Sequence, residues 1–472
     1  MMPMEEYIVY FLILTVDIFI FYILMCLFNR YAYKLAAVQE RAGQSHSLPG
    51  KQHINFNGAH KIGQRQCSQP QKRLIGFSNG QKGRHCQYCS QQKQLINPQG
   101  AHKKTKSAYH TLANKITFSK YEMKQYTMIA ENTVRKLITQ MKKEILSGDL
   151  IIDSDFIRAG SSFEGLKVKP DIEFDFLIPL SPPELYRFHF SSKTHGIPAM
   201  FCLVPILELQ ARSIYQKPVD FKKKFCSDWH LQSLAVRRWF QSLADRAVRS
   251  LPEISLEVRF SEKGPARTMK IRKSGIPEIS VDLVPAIYVC GIYLVAKTYG
   301  GITECQHPLK DKLWRMSFSV QEKKILENIS SHLPINACHQ KTLQIVKHLK
   351  QSTPPLQWSA NLSSYHLKTV WLHMLQKKSL YDWQHEKLDQ RVLELIDNLV
   401  RNLRSKILPH FFIGNKHLLL RGKDVPKHVL QYENECNLFS DMHPSTLKQV
   451  CMQLEHLKYN LDNTVGKLCA SI

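Results

Sequence analysis

The chain has few acidic side chains. It holds 39 Asp and Glu residues against 65 Lys and Arg residues, which gives a formal net charge of +26. The imbalance is steepest over residues 29–120, where sixteen basic residues accompany a single acid. Phosphates, nucleic acid and anionic membrane surfaces are the natural partners of such a chain. For the N-terminal part, a simple solubilising role of the basic residues is the alternative.

Cysteine is present without a disulfide framework. Twelve Cys residues are scattered over 472 positions, a pattern typical of reduced thiols in a cytosolic setting. Cys86 and Cys89 form one CxxC pair, with His85 beside it and Cys67 upstream, and this group could hold zinc. No second CxxC pair follows, and the surrounding sequence is low in complexity, so we expect no zinc site.

Large apolar residues are scarce between residues 42 and 105, which are rich in Gln, His, Gly, Ser and Lys. Such a segment cannot bury enough apolar surface to fold on its own. We therefore expect a flexible, basic, Gln- and His-rich linker over residues 29–106.

One long apolar run precedes this linker. Residues 7–28 are almost wholly apolar and long enough to cross a bilayer as a helix. Glu5 and Glu6 precede the run and basic residues follow it, so the positive-inside rule predicts a single-pass membrane protein with a cytosolic C-terminal body. We expect residues 1–28 to form this anchor. A cleaved signal peptide is disfavoured because no basic segment precedes the run, and a buried core helix because no amphipathic face is visible.

The rest of the chain predicts an α+β fold in two lobes. Residues 107–325 mix helical and strand patterns, whereas residues 326–472 have the pattern of helices. The clearest elements of the first lobe are helices over 121–146 and 230–251 and strands over 256–260 and 279–285. A substrate would lie in a cleft between two such lobes.

Two carboxylates of the first lobe lie on one face of a predicted strand. Glu173 and Asp175 are separated by one residue, so they point one way while Phe174 and Phe176 point the other. Two like charges side by side are unfavourable unless a cation lies between them, and magnesium is the usual cation. A half-exposed strand with two solvated acids is the alternative.

A third acid and a small turn strengthen the magnesium interpretation. Asp282 lies inside a second β-branched strand pattern, where an unpaired acid is unfavourable. The turn from Gly160 to Gly165 carries two serines just ahead of the acid strand, and its backbone N–H groups could approach phosphates closely. Three strand acids and such a turn fit two-metal phosphoryl or nucleotidyl transfer.

These motifs resemble the male abnormal 21 family, whose best-known enzyme is cyclic GMP-AMP synthase. The resemblance covers roughly residues 109–420 and implies a nucleotidyltransferase core lobe followed by a helical lobe. Glu173, Asp175 and Asp282 match the metal-binding catalytic acids of active members, which implies magnesium or manganese as cofactor and a nucleoside triphosphate as substrate. The nucleotide-binding positions that the resemblance implies are Gly160, Ser161, Ser162, Arg315, Ser317, Ser319, Lys347, Ser364 and Tyr365.

A second resemblance narrows the branch. Residues 180–184, 366–375 and 408–415 are similar to the inositol trisphosphate receptor-interacting protein group, whose members carry a membrane segment ahead of the same fold. Residues 327–340 hold a single cysteine, Cys338, with His332 and His339 nearby, which is short of the ligand set that the zinc insert of the DNA-sensing synthase needs. The resemblance therefore does not support DNA sensing.

Three functions stay open at this point. The chain could be a membrane-tethered enzyme that joins nucleoside triphosphates, a nucleotide-binding pseudoenzyme, or a scaffold that docks a membrane receptor. The intact acids favour the enzyme. The apolar N-terminal run and the second resemblance favour the scaffold.

Overall fold

The computed structural model of the protein describes residues 108–153, 155–191, 197, 200–209, 220–252, 258–261, 266–297, 309–352, 358–420, 425–430 and 436–472. The predicted membrane segment over residues 7–28 and the predicted linker over 29–106 lie outside these ranges. Within them, none of the helices combines the length and the apolar character needed to cross a membrane.

A mixed sheet forms the centre of the first lobe. The strands are β1 (Ile151–Ile152), β2 (Ile157–Ala159), β3 (Glu173–Ser181), β4 (Tyr186–Phe188), β5 (Phe201–Cys202), β6 (Ile206–Glu208), β7 (Cys226–Ser227), β8 (His230–Leu231), β9 (Val258–Ser261), β10 (Arg267–Ile271), β11 (Ile279–Val289), β12 (Ile292–Val295) and β13 (Trp314–Ser317). The main path of the sheet runs in the order β1, β3, β11, β12, β13, β5, with β2 paired to β3 and with β9 joined to β11 through β10. Two separate two-stranded sheets pair β4 with β6 and β7 with β8.

Strand β3 alternates as its sequence predicts. Phe174 and Phe176 are fully buried, and the ring of Phe163, from the preceding turn, packs against both at 5.5 and 5.4 Å between centroids. Glu173 and Asp175 point to the opposite face. The apolar side of β3 therefore fixes the strand in the core and leaves its carboxylates facing outward.

The helices divide between the two lobes. Residues 108–115 are helical. The helices that follow in the first lobe are α1 (Lys120–Lys143), α2 (Phe221–Phe225) and α3 (Ser233–Arg249), and the later ones are α4 (Ser319–His332), α5 (His339–Gln351), α6 (Trp358–Asn361), α7 (Ser364–Lys377), α8 (Leu388–Ser405), α9 (Lys427–Leu430), α10 (Pro444–Tyr459) and α11 (Leu461–Ser471). Helix α1 begins with a capping box in which Ser119 and Glu122 each bond the other's backbone N–H. Helices α1 and α3 pack against each other and against β11.

The predicted helix over residues 230–251 is shorter in the structure. It begins at Ser233, because His230 and Leu231 pair with Ser227 and Cys226 in the β7–β8 hairpin. The periodic apolar residues that suggested a helix from His230 include Leu231, which is buried as a strand residue. Burial alone does not distinguish the last residues of a strand from the first turn of a helix.

The second lobe is helical, as predicted. Helix α8 packs against α5 and α10, and α7 packs against both α5 and α8. Trp371 and Trp383 are fully buried among these helices. The lobe boundary expected between residues 325 and 326 falls inside the continuous helix α4, so the chain passes between the lobes along a helix at that point.

Candidate functional site

The three predicted acids converge on adjacent strands. Strands β3 and β11 run parallel, and their register sets Asp282 opposite Asp175 and Ser280 opposite Glu173. One carboxylate oxygen from each acid lies within 4.8 Å of the corresponding oxygens of the other two. Residues more than a hundred positions apart thus form one carboxylate cluster on the outward face of the sheet.

The cluster is electrostatically strained. Burial, together with the charges of Glu173 and Asp282, raises the pKa of Asp175 from 3.8 to about 7. Burial also raises the pKa of Asp282, although a hydrogen bond from Thr268 Oγ1 at 2.6 Å opposes the shift. Among the described residues the acids have one ion pair, from Lys167 Nζ to Glu173 Oε2 at 2.9 Å. The site therefore has more negative charge than its own side chains neutralise.

The turn after β2 is pressed against this cluster. Gly160 has φ +77°, and a Cβ atom there would lie 1.9 Å from Asp175 Oδ2. Only glycine fits both the backbone conformation and the space. Two backbone bonds close the turn, from Phe163 N to Gly160 O at 3.2 Å and from Leu166 N to Ser161 O at 2.8 Å. The acid strand and the turn therefore lie in direct contact.

A cleft of about 750 Å³ opens over the cluster and extends to the helical lobe. The predicted site residues that line it are Gly160, Ser161, Glu173, Asp175, Asp282, Arg315, Ser317, Ser319, Lys347, Ser364 and Tyr365. Ser162 is absent from the lining, because its hydroxyl donates to the backbone carbonyl of Glu173 and ties the turn to the strand. Ser162 was predicted to bind nucleotide, but in the structure its hydroxyl supports the turn.

Basic side chains line the cleft beyond the acids. Burial, with Lys167 and Lys368 nearby, lowers the pKa of Lys347 to about 8. Burial and the neighbouring Arg315 also lower the pKa of Lys297. Cations that depress one another's pKa are stabilised by an anion placed between them. The cleft thus joins a carboxylate cluster to a cationic region, which suits a bound cation together with a polyphosphate.

Comparison with known proteins assigns this architecture to a family. The Mab-21 protein nucleotidyltransferase domain matches residues 162–292, and the Mab-21 protein HhH/H2TH-like domain matches residues 338–456. Together the two matches cover more than half of the chain. The chain belongs to the Mab-21 family. The first match holds all three acids, and the second begins at the residue that precedes α5.

Several curated proteins are similar to this Mab-21 chain. Inositol 1,4,5-trisphosphate receptor-interacting protein of Homo sapiens is 28% identical over 323 residues, which cover 60% of this chain and 58% of that protein. Inositol 1,4,5-trisphosphate receptor-interacting protein-like 1 of Mus musculus is 30% identical over 293 residues, which cover 56% of this chain and 52% of that protein. Cyclic GMP-AMP synthase-like receptor 3 of Stylophora pistillata is 29% identical over 314 residues, 62% of this chain and 86% of that protein. The chain thus spans little more than half the length of the receptor-interacting relatives.

The donor set of this Mab-21 domain fits magnesium or manganese. Both are hard cations that prefer oxygen ligands, and the cluster offers three carboxylates with their negative charge incompletely neutralised. Glu173, Asp175 and Asp282 would hold the ions. Cys86 and Cys89, the zinc candidates considered above, lie outside the described residues.

Tyr365 lines the cleft, and His410 holds its hydroxyl. Backbone N–H groups of Phe412 and Ile413 both donate to His410 Nδ1 at 3.1 Å, so the ring carries its proton on Nε2. That nitrogen donates to the Tyr365 hydroxyl at 2.9 Å. Burial lowers the pKa of His410 to about 3, which keeps the imidazole neutral. Tyr365 is therefore held at a fixed angle in the cleft wall.

A group of three ion-paired side chains links the two lobes, and the sequence analysis did not predict it. Lys368 Nζ, on α7, lies 2.7 Å from both carboxylate oxygens of Glu164 and 2.6 Å from Glu322 Oε2. All three side chains are largely buried. Lys368 is separated from Glu164 by 204 residues, so no local spacing reveals the pairing. Lys167 and Thr268 contact the acids, but nothing in the sequence except their polarity indicates this.

Proposed function

We propose that this protein is a nucleotidyltransferase that joins nucleoside triphosphates in the cleft above the three acids. The observation that carries the proposal is the convergence of the carboxylates beside Gly160, with Asp175 destabilised in its charged form. A half-exposed strand with solvated acids would neither bury Asp175 nor crowd it with two further carboxylates. Membership of the Mab-21 family supports the same reaction class.

In the proposed reaction, a hydroxyl oxygen of one nucleotide attacks the α-phosphorus of another. The new P–O bond forms as the bond to pyrophosphate breaks. Asp282, with one oxygen held by Thr268, would accept the hydroxyl proton. Bound magnesium or manganese would supply charge neutralisation at the phosphates and at the attacking and leaving oxygens.

The other cleft residues bind and orient the substrate. Ser161, Arg315 and Lys347 line the cleft. Backbone N–H groups of the turn and the two cations would bind the triphosphate there. The hydroxyls of Ser317 and Ser319, 3.3 Å apart, could contact ribose or phosphate oxygens. Tyr365 is the candidate for base stacking, which is worth about 1–3 kcal/mol per base in proteins that bind single-stranded nucleic acid.

Incubation of the full-length chain with manganese and each labelled nucleoside triphosphate, singly and in pairs, with and without RNA, tests the proposal. We expect an oligonucleotide or cyclic dinucleotide product that Asp175→Asn abolishes. Asp155→Asn is the matched control, because Asp155 is an exposed acid that pairs with Arg135 at 3.4 Å outside the cleft. A chain that forms no product under any of these conditions would contradict the proposal.

Two observations favour a second candidate, a receptor-interacting scaffold that binds nucleotide without turnover. The human and mouse relatives carry receptor-interacting in their names. The cleft also retains its cationic lining, which would hold a polyphosphate without any reaction. Thermal stabilisation by nucleotide that survives Asp175→Asn, together with co-purification of a membrane receptor that survives the same change, would favour this candidate over the enzyme.

The proposed anchor over residues 7–28 is tested separately. Deletion of residues 1–28 is expected to move the protein from the carbonate-resistant membrane fraction to the supernatant, because the remaining chain has no other apolar run of spanning length. Full-length protein that carbonate already extracts would contradict the anchor and leave the cleft chemistry untouched.

A further inference from the structure

One face of helix α5 bonds the turn that carries the glycine and the serines. Gln340 Nε2 donates to the carbonyl of Glu164 at 3.2 Å, Gln344 Nε2 to that of Gly165 at 3.0 Å, and Lys347 Nζ to that of Leu166 at 2.8 Å. The three donors are spaced four and three residues apart, so they project from one side of the helix. Three successive carbonyls of the turn are thus bonded from the helical lobe.

Gly165 is shaped to this contact. Its φ is +69°, and a Cβ atom at this position would lie 2.8 Å from Gln340 Nε2. The amide of Gln340 occupies the space that a side chain would need. Each glycine of the Gly160–Gly165 turn is therefore required by a different close approach. Asp175 leaves no room for a side chain at Gly160, and α5 leaves none at Gly165.

The helix is itself firmly placed. The backbone carbonyl of His339 accepts a hydrogen bond from Trp371 Nε1 at 2.9 Å, and Cys338 N donates to Trp383 O at 2.8 Å. Gln344 is buried, with 7% of its surface exposed. A rigid helix with fixed donor spacing leaves the three carbonyls little freedom to shift relative to the acid strand.

We propose that Gln340 and Gln344 are positioning residues of the nucleotide site, which hold the Gly160–Gly165 turn at the distance from the acids that a bound triphosphate requires. This role rests on the proposed nucleotidyltransferase function. Neither glutamine lines the cleft. They act through the turn carbonyls, so the helical lobe fixes the position of the phosphate-binding backbone.

The test replaces each glutamine by methionine, which keeps the length of the side chain and removes its donor. Gln340→Met is the milder change because Gln340 is half-buried, and Gln344→Met is the stronger one. Gln390→Met, at an exposed position on α8, is the matched control. The full-length proteins are compared by hydrogen exchange over residues 160–168, by manganese–ATP affinity, and by KM and kcat where product forms.

We expect protection of the turn amides to fall about tenfold in Gln344→Met, as for the loss of one net hydrogen bond. Manganese–ATP affinity is expected to weaken about tenfold, and KM to rise with little change in kcat, since binding geometry is lost before chemistry. The control is expected to match the parent chain in all three measurements.

Unchanged protection in the Gln340→Met and Gln344→Met double variant would overturn the positioning role. An equal loss of protection in Gln390→Met would also overturn it, because the effect would then be general loosening. Lower protection with unchanged manganese–ATP affinity would show that the turn's placement does not matter for the ligand. If the parent chain binds no nucleotide, the proposed function fails, and exchange still decides whether the glutamines hold the turn.

Discussion

Replacement of Asp175 by asparagine is expected to stabilise the protein when divalent ions are removed. The carboxyl of Asp175 has a pKa of about 7 in the folded chain, against 3.8 for an ordinary aspartate, because of its burial and its proximity to Glu173 and Asp282. Asparagine has nearly the same shape and no charge. The variant therefore removes the repulsion and retains the packing against Gly160.

The sign of the effect follows from proton linkage. Below about pH 4 the carboxyl is protonated in both folded and unfolded chains and contributes nothing. Between about pH 4 and pH 7 the unfolded chain releases the proton while the folded chain keeps it, so stability falls by about 1.4 kcal/mol per pH unit. Above pH 7 the full penalty of about 4 kcal/mol is present. Partial exposure of Asp175 to solvent reduces it, and we expect about 2 kcal/mol at pH 8.

The assay is thermal unfolding of the full-length chain in EDTA at pH 4.5 and pH 8. At pH 8, Asp175→Asn is expected to raise the midpoint by about 4–8 °C relative to the parent, since about 1 kcal/mol shifts the midpoint by about 2–4 °C in a domain of this size. At pH 4.5 the difference is expected to shrink strongly. The exposed Asp155→Asn control should shift the midpoint by less than about 2 °C at either pH.

Addition of manganese provides the second half of the test. The parent chain gains stability by mass action, about 2.7 kcal/mol at an ion concentration of about 100 times Kd. Asp175→Asn has lost a ligand and gains much less, so the order of stability at pH 8 is expected to reverse. An Asp175→Asn variant that is less stable than the parent in EDTA at pH 8 would refute the repulsion argument.

Three further changes test single contacts, each by thermal unfolding and manganese titration calorimetry. Gly160→Ala is expected to destabilise the protein by more than about 2 kcal/mol and to abolish manganese binding, whereas Gly275→Ala, also at positive φ but with nothing within 4 Å, loses only about 1–2 kcal/mol. Lys368→Met leaves two buried carboxylates without their cation and is expected to lose about 3–5 kcal/mol. Lys323→Met, from a surface pair, changes stability by less than about 1 kcal/mol. Thr268→Val is expected to weaken manganese binding about tenfold, as for loss of a group that orients a ligand. Effects of Gly160→Ala or Lys368→Met equal to those of their controls would contradict the corresponding contact, and unchanged manganese affinity in Thr268→Val would contradict the third.

The acid strand shows how much of the site can be predicted from sequence. Alternation along β3 is a local property, so the opposite directions of Glu173 and Phe174 follow from the period of a strand alone. Contact between Asp175 and Asp282 follows from a parallel pairing between strands more than a hundred residues apart. Residue patterns do not specify such pairings, and the resemblance to a known family supplied this one.

The supporting contacts could not be predicted, for a related reason. The hydroxyl of Ser162 could bind a phosphate, but it donates to the backbone carbonyl of Glu173 instead. Which partner the hydroxyl takes depends on how the turn folds back over β3. Lys368 and Glu164 are charged residues, and charged residues are normally predicted to lie at the surface. They are buried only because the helical lobe places one above the other. Pairings of this kind depend on lobe docking, which no local pattern encodes.

The energetics of the metal-free cluster also bear on the choice between enzyme and scaffold. Three carboxylates within 4.8 Å, with one ion-paired lysine among the described residues, make the folded chain less stable than neutral residues of the same shape would. The repulsion among the three carboxylates does not help a receptor to dock on another surface. A bound divalent ion removes that repulsion, and the carboxylates increase the affinity for the ion. Acids arranged in this way therefore favour a cleft that binds a cation over a cleft without a ligand. The reversal of stability on manganese addition tests for that cation, and product formation separates the enzyme from the nucleotide-binding scaffold.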